Sequence, residues 1–220
     1  MRILIIGGSG RTGKLTTKEL LHRGHKVTAL VRNLSAMEDM PAGLDTIKGT
    51  PSNIADVKAA FEYEIPAAVI VTLNAPRESD SPFAAPMAPP GLMVNCNANI
   101  VAAMKEFGVP KLVVLQAFGV GDSWPNMHCL LRLLMSKSNM SHQYLDHNQT
   151  EEEVRNSGVT YVLVRPSRLV DTDTEKVKVW PNHGKGVPLM AQTSRRSVAR
   201  WLVDATETDQ WDNTEPVITN

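Results

Sequence analysis

The chain has 220 residues, enough for one domain with a substantial core, and 42% of them are hydrophobic, which argues against disorder. Its 23 Lys and Arg residues balance 23 Asp and Glu residues, and this zero net charge argues against a nucleic-acid partner held by a broad basic surface. No apolar run approaches the roughly 20 residues that cross a bilayer, and the first strand begins at Arg2 without a signal peptide, so we expect a cytoplasmic protein with no membrane partner. Cys96 and Cys129 follow no metal-ligand spacing, so we expect reduced thiols and no metal site.

Strands and helices alternate along the chain. Apolar, β-rich runs predict strands over residues 2–7, 25–31, 46–49, 67–73, 111–117 and 160–166, with a weaker strand pattern over 176–180. Helical patterns cover residues 12–23, 54–62, 93–107, 127–137, 147–156 and 194–206, the last with Ser194 as its cap. This alternation predicts an α/β protein with a doubly wound parallel sheet of the Rossmann type, helices on both faces, and one domain over residues 1–220.

One segment is biased in composition. Residues 74–91 hold five of the 14 prolines and follow the fourth strand. Ligands of doubly wound sheets bind at the carboxyl edge, where this segment begins. It is therefore either a mobile wall of an active site or an ordinary surface loop.

A glycine pattern lies between the first strand and the first helix. In GGSGRTG, Gly7 permits a tight turn, Gly10 lets the backbone approach a diphosphate, and Gly13 lets the helix pack close to the strand. The N–H groups at Arg11 and Thr12, at the positive end of the helix, then face phosphate. The G-K-[ST] ending of nucleotide-hydrolase phosphate loops is absent. The pattern predicts a dinucleotide site.

The end of the second strand favours NADP(H) over NAD(H). An NAD site usually has Asp or Glu about 20 residues past the glycines, where it binds the ribose 2′-hydroxyl. This strand ends in Arg32 and Asn33 with no acid. Arg32 can pair with a 2′-phosphate, with Arg11 approaching from the other side; the alternative for Arg32 is a solvated charge at a strand end.

Five stretches together resemble a known family. They are IIGGSGRTG, VTALVRN, NIVAAMKEFGVPKLV, EVRNSGVTYVLVRPS and TSRRSVARWLVD, spread over nearly the whole chain. Their order resembles the atypical short-chain dehydrogenase/reductases of the NmrA-like and biliverdin reductase B (flavin reductase) group. The resemblance implies a Rossmann-type fold, an NADP-type cofactor and a small planar substrate near the nicotinamide, reached by elements from about 74–91, 118–150 and 166–195.

The resemblance also implies cofactor contacts at matching positions. These are Gly7, Ser9, Gly10, Arg11, Thr12 and Gly13 in the loop, Arg32 and Asn33 at the ribose phosphate, Leu73 and Asn74 after the fourth strand, and Pro166 and Ser167 beside the nicotinamide. One position departs from the family pattern. The family usually has Asp after the glycine that ends its third strand, whereas this chain has Gly49 and Thr50.

The catalytic positions depart further. Short-chain dehydrogenases typically use Ser after the fifth strand and a Tyr-x-x-x-Lys pair, in which Tyr moves the proton and Lys lowers its pKa. Gln116 stands at the Ser position, and Tyr144 is followed four residues later by Asn148. Gln116 can hydrogen-bond a substrate carbonyl but is a poor proton donor. The usual carbonyl-reducing triad is absent.

Other candidates each have a functional and a structural interpretation. By the resemblance, His147 matches a histidine on the substrate-facing helix, and it is either a proton donor or an exposed helix residue. Glu151 lies four residues further on, on the same face of the helix, and can pair with His147. Arg168 either binds an acidic or phenolic substrate or is a surface arginine. Phe118 and Trp124 either line an aromatic site or pack in the core.

Three functions are compatible with the sequence. The first is an NADPH-dependent reductase of a small conjugated or aromatic molecule that is flavin-, quinone- or polyketide-like. The second is an isomerase, dehydratase or cyclase of secondary metabolism that keeps the NADP site, with Tyr144, His147 or Arg168 in acid–base roles. The third is a non-enzymatic NADP(H) sensor. We expect a small-molecule substrate and a monomer or homodimer; the sensor would in addition bind a protein partner.

Overall fold

The computed structural model describes all residues, 1–220, and contains ten strands. In chain order they are β1 (Arg2–Ile6), β2 (Lys26–Val31), β3 (Leu44–Lys48), β4 (Ala68–Val71), β5 (Lys111–Leu115), β6 (Thr160–Pro166), β7 (Arg168–Val170), β8 (Lys178–Trp180), β9 (Gln192–Ser194) and β10 (Val217–Thr219). Eight of them form the main sheet in the order β3-β2-β1-β4-β5-β6-β10-β8, and β7 pairs with β9 in a small separate sheet.

The structure contains six α-helices. They are α1 (Arg11–His22), α2 (Ile54–Tyr63), α3 (Leu92–Phe107), α4 (Cys129–Lys137), α5 (Met140–Arg155) and α6 (Arg195–Glu207). Two 3₁₀ helices, Leu34–Met37 and Gly121–Asn126, lie in the connections. None of the helices is both long and apolar enough to span a bilayer.

Alternating side chains of the strands bury both faces of the sheet. Ile3 and Ile5 belong to the cluster that also takes apolar residues of α1 and α6, whereas Leu4 and Ile6 belong to the cluster with residues of α2, α3 and α5. All four strand residues are fully buried. Because successive strand residues point to opposite faces, a continuous apolar run such as RILII needs helices on both sides.

The predicted fold class is confirmed, with differences at the carboxyl-terminal end of the chain. Strands β1 to β6 and β10 are parallel, but β8 joins the sheet edge antiparallel to β10. Strands β7, β9 and β10 were not predicted, because three-residue strands carry too little periodicity to be recognised. Ser194 caps α6 as predicted, its hydroxyl accepting from the amide of Arg196.

Helix α5 was predicted too short. The prediction began at residue 147, whereas the helix begins at Met140. Its first two turns, MSHQYLD, have no clear apolar stripe, so their helical structure depends on packing against α3 and α4 rather than on pattern. The longer helix places Tyr144, His147 and Glu151 on one rigid element.

The sheet order creates a crevice at its carboxyl edge. The chain moves outward from β1 to β2 and β3, then returns to place β4 on the other side of β1. In such sheets the reversal point between these neighbours is where ligands bind. The loops after β1, β2, β4, β5 and β6 all emerge at this edge, because these strands are parallel.

Candidate active site

The glycine loop has no room for larger residues at two of its three positions. Gly7 has a φ of +85°, and a Cβ there would lie 2.9 Å from the carbonyl carbon of Thr72. A Cβ on Gly13 would lie 2.1 Å from the oxygen of Gly7. Gly13 therefore allows α1 to approach the end of β1 closely, as the sequence predicts, and Gly7 also allows Thr72, just after β4, to approach it. Gly10 is different, since the nearest atom to its Cβ would be the Gly7 oxygen, at 3.3 Å.

The start of α1 offers unpaired donors. Gly10 occupies the N-cap position, and no side chain caps the helix. The first amides of a helix have no intrahelical acceptor and carry the positive end of its dipole. With glycines lining the approach, this end of α1 fits a diphosphate. Ser9 and Arg11 are exposed at the same place, and Thr12 is buried beneath them.

Arg32 lies free at the end of β2. Its side chain is exposed and makes neither an ion pair nor a hydrogen bond, so its guanidinium is available to an anionic ligand. Asn33 instead accepts a hydrogen bond from the amide of Ser35 and caps the following 3₁₀ helix. After β3, Thr50 stands where the family usually has Asp. The amide of Thr50 donates to the carboxylate of Asp56 at 2.8 Å, so an acid from α2 lies beside this position.

Side-chain hydrogen bonds hold the proline-rich segment 74–91 at three points, one of them the Asn139 amide, which donates to the carbonyls of Phe83 and Ala84. Gln143 of α5 donates to the side-chain oxygen of Asn74 at 3.0 Å and to the carbonyl of Ala75 at 2.8 Å. Asp80 accepts two hydrogen bonds from Arg11, at 2.8 and 3.0 Å. The segment therefore spans from the end of β4 to the glycine loop. Leu73, the residue before Asn74, is half-buried against the core.

Gln116 and His147 form a buried pair at the end of β5. The side-chain oxygen of Gln116 lies 2.5 Å from Nδ1 of His147, and both residues are buried. Burial lowers the pKa of His147 to about 4, against a smaller opposite effect of Asp146. The imidazole is therefore neutral at pH 7. The alternative of an exposed helix histidine is wrong.

Glu151 does not pair with His147. Its carboxylate forms a short, buried ion pair with Arg165 of β6, whose side chain is fully buried. Burial is the largest effect on the Glu151 carboxyl and raises its pKa, although Arg165 opposes the shift. The expected His147–Glu151 pair is therefore wrong, because the strand beneath α5 supplies a stronger partner for the acid.

Tyr144 and Asn148 have structural hydrogen bonds. The Tyr144 hydroxyl donates to the carbonyl of Phe118 at 3.0 Å, and burial raises its pKa to about 12. Asn148, at the usual lysine position, accepts from the amide of Gly121 at 2.8 Å. Without a cation nearby, nothing lowers the pKa of Tyr144 toward neutrality.

The aromatic candidates lie beside this tyrosine. Phe118 is buried in a small cluster with Met127, Val187 and Val217. This environment matches the alternative in which Phe118 packs in the core. Trp124 is half-buried, and its ring meets that of Tyr144 edge-on with 6.1 Å between centroids. Trp124 is thus the one of the two that retains exposed surface.

The end of β6 is held by the sheet and by β9. The Ser167 amide donates to the carbonyl of Ile218 and to Oγ1 of Thr193, each at 3.1 Å, and the two hydroxyls lie 2.8 Å apart. Pro166 is buried and its carbonyl accepts from the amide of Phe118 at 2.9 Å. Arg168 is exposed on β7 and has no ion-pair partner.

The structure brings most of the predicted residues to one edge, after β1, β2, β4, β5 and β6. It also adds four residues that were not predicted, namely Asp80, Gln143, Asp146 and Arg165. Arg165 had a recognisable signal, because a charged residue inside the apolar strand TYVLVRP requires a buried partner. The other three had none, since their contacts join distant parts of the chain.

A doubly wound sheet with a glycine loop at its switch point defines a dinucleotide-binding protein of the Rossmann type. The chain belongs to the NAD(P)H-binding family, whose model matches residues 7–209. This agrees with the resemblance to atypical short-chain dehydrogenase/reductases. Over 44 residues the chain is also 46% identical to the uncharacterised protein YwnB of Bacillus subtilis (strain 168), a stretch that covers 20% of this chain and 21% of YwnB.

Solved structures share the whole fold at low identity. The anaerobillin reductase ChuY from Escherichia coli O157:H7 aligns with a TM-score of 0.79 and 16% identity, over 99% of this chain and 96% of that one. A candidate NAD-dependent epimerase/dehydratase from Bacillus halodurans aligns with a TM-score of 0.78 and 18% identity, over 100% of this chain and 94% of that one. A short-chain dehydrogenase/reductase from Veillonella parvula DSM 2008, in complex with NADP, aligns with a TM-score of 0.77 and 15% identity, over 100% of this chain and 94% of that one.

Proposed function

We propose that this chain is an NADPH-dependent oxidoreductase that reduces a small conjugated or aromatic molecule. The observation that carries the cofactor preference is the end of β2, where Arg32 is exposed and unpaired and no carboxylate is present. A carboxylate there would repel a 2′-phosphate, whereas a free guanidinium offers it charge-assisted hydrogen bonds. The solved relative that contains NADP supports the same preference.

The residues at the sheet edge fit the parts of this cofactor. The amides around Gly10, Arg11 and Thr12 would hold the diphosphate, and Arg32 the 2′-phosphate. Asn74 and Ser167 follow the strands on the far side of the crevice, toward the nicotinamide. When bound, NADPH supplies a hydride, and the protein's task is to orient it and exclude competing reactions.

The chain's own acid–base groups favour an acceptor that needs little proton transfer from the protein. His147 is neutral at pH 7, because burial lowers its pKa, and the Tyr144 hydroxyl is engaged with a backbone carbonyl. Hydride transfer to a conjugated ring system depends mainly on positioning, and solvent can supply the proton. Trp124 is the candidate to stack on such a ring, and Arg168 to bind an acidic or phenolic group of it.

Purified protein mixed with NADPH and a panel of flavins, quinones and redox dyes tests this function. We expect loss of NADPH absorbance with at least one acceptor, and slower turnover for Trp124→Ala. Trp211→Ala is the matched control, because Trp211 packs against Trp201, away from the carboxyl edge. No turnover across the panel, with NADPH still bound, would contradict the reductase proposal.

The second candidate is an isomerase, dehydratase or cyclase that keeps the cofactor site. Asn148 favours this candidate, because it stands where reductases of this group have lysine. Its side-chain oxygen accepts a hydrogen bond from the amide of Gly121, which is a structural role. A silent acceptor panel combined with tight NADPH binding is the result that this candidate predicts.

A further inference from the structure

His147 has one ring nitrogen committed to Gln116. Nδ1 lies 2.5 Å from the Gln116 side-chain oxygen, which can only accept a hydrogen bond. The proton between them therefore belongs to Nδ1. Which nitrogen of a neutral imidazole carries its proton is set by the partner of the other, so Nε2 is left with a lone pair.

Asp146, the acid next to His147 in the chain, does not hydrogen-bond the imidazole. Asp146 precedes His147 on α5, but its two carboxylate oxygens accept from the amides of Met93 and Val94, each at 2.9 Å. Asp146 therefore caps the start of α3 instead of orienting the imidazole. A carboxylate on Nδ1 would stabilise the imidazolium, whereas a neutral amide does not. The pairing with Gln116 thus orients the ring and keeps it uncharged.

Gln116 carries a second unusual feature. Its side-chain nitrogen is buried and has no hydrogen-bond partner in the protein. A buried amide donor without a partner is unfavourable, because it has lost its hydrogen bonds to water. Since Gln116 follows β5 at the carboxyl edge, a ligand oxygen at that edge is a partner of the correct chemistry.

We infer that Gln116 is a positioning residue that holds His147 in its Nδ1–H form, so that Nε2 is a hydrogen-bond acceptor for a hydroxyl or N–H group of the substrate. His147 then accepts a proton or a hydrogen bond and does not act as the general acid of a reduction. The inference deepens the proposed function and rests on it only for the identity of the ligand. The form of the imidazole is a property of the free protein and is measured without turnover.

Nitrogen-15 NMR of histidine-labelled protein tests it at pH 7. We expect His147 to show a protonated Nδ1 and an unprotonated Nε2, its resonances being assigned by their absence in His147→Gln. His142 lies on the same helix, is exposed and serves as the internal reference. A proton found on Nε2 of His147 would overturn the inference, because Gln116 would then be the donor of the pair.

Two variants separate positioning from packing. Gln116→Met keeps a similar volume without an acceptor, and we expect the Nε2–H form to become populated. Gln116→Glu restores the acceptor, and we expect the Nδ1–H form to return with a raised pKa of His147, because a carboxylate stabilises the imidazolium. An unchanged proton position in Gln116→Met, or failure of Gln116→Glu to restore it, would contradict the assigned role. Absence of NADPH oxidation in the reductase assay, with the proton on Nδ1, would count against the proposed function alone.

Discussion

Arg11 and Asp80 form an ion pair between the glycine loop and the proline-rich segment. Both side chains are exposed, and the two oxygens of Asp80 lie 2.8 and 3.0 Å from one guanidinium nitrogen. Arg11 is the main cause of the lowered pKa of Asp80, with smaller contributions from Arg195 and Arg77. The carboxylate thus stands beside the helix end that fits a diphosphate.

Asp80→Asn should therefore tighten NADPH binding. The carboxylate competes with phosphate for Arg11 and repels it, but exposed ion pairs are weak, so we expect the dissociation constant to fall by roughly two- to fivefold. Fluorescence titration with NADPH measures it. Asp173→Asn is the matched control, because its exposed pair with Arg196 is also an aspartate–arginine contact but involves α6. Weaker binding by Asp80→Asn would show that Asp80 supports the cofactor.

Two alanine substitutions separate the packing role of the glycine loop from its binding role. Gly13→Ala places a Cβ 2.1 Å from the Gly7 oxygen, and we expect a loss of about 1–3 kcal/mol in the free energy of unfolding. Gly10→Ala meets that oxygen only at 3.3 Å and should cost at most about 1 kcal/mol. Urea denaturation measures both.

The dissociation constant for NADPH is then compared between Gly10→Ala and Gly13→Ala. Gly10→Ala should remain folded yet raise the dissociation constant by roughly tenfold or more, which corresponds to about 1.4 kcal/mol or more. Unchanged affinity in Gly10→Ala would mean that the diphosphate does not approach this residue.

The buried pair of Glu151 and Arg165 should be needed for stability. Glu151→Ala leaves a fully buried guanidinium without its acid, and we expect the free energy of unfolding to fall by about 3–5 kcal/mol. The double variant Glu151→Leu, Arg165→Met should recover most of this loss, since neither charge remains. Glu106→Gln breaks an exposed contact with Lys58, away from this pair, and serves as the control, with a change within about 0.5 kcal/mol. A Glu151→Ala variant as stable as the wild type would contradict this role for the pair.

Local features of the site were predictable from the sequence. The glycine spacing acts within one turn and one helix, so the sequence alone assigns Gly7 its turn and Gly13 its packing role; the close approach of Thr72 to Gly7 involves a distant strand and was not predicted. Parallel strands place their following loops at one edge, which is why Arg32, Gln116 and Ser167, each just after a strand, lie at the same edge of the sheet.

Partners across the chain were not predictable. The sequence predicts a pair of His147 and Glu151, because the two lie four residues apart on a helix. In the structure His147 pairs with Gln116, just after β5, and Glu151 pairs with Arg165 of β6. That outcome depends on how α5 is rotated against β5 and β6, which no local pattern encodes. Asp80 lies in a segment without periodicity, so its contact with Arg11 gave no signal.

The central claim is that Arg32 makes this a site for NADP(H). The direct test is the pair of dissociation constants for NADPH and NADH, measured for the wild type and for Arg32→Ala by fluorescence titration. We predict that the variant loses roughly tenfold or more in affinity for NADPH, since charge-assisted hydrogen bonds to the 2′-phosphate are lost, and changes little toward NADH. Equal losses for both cofactors, or none for either, would contradict the assignment.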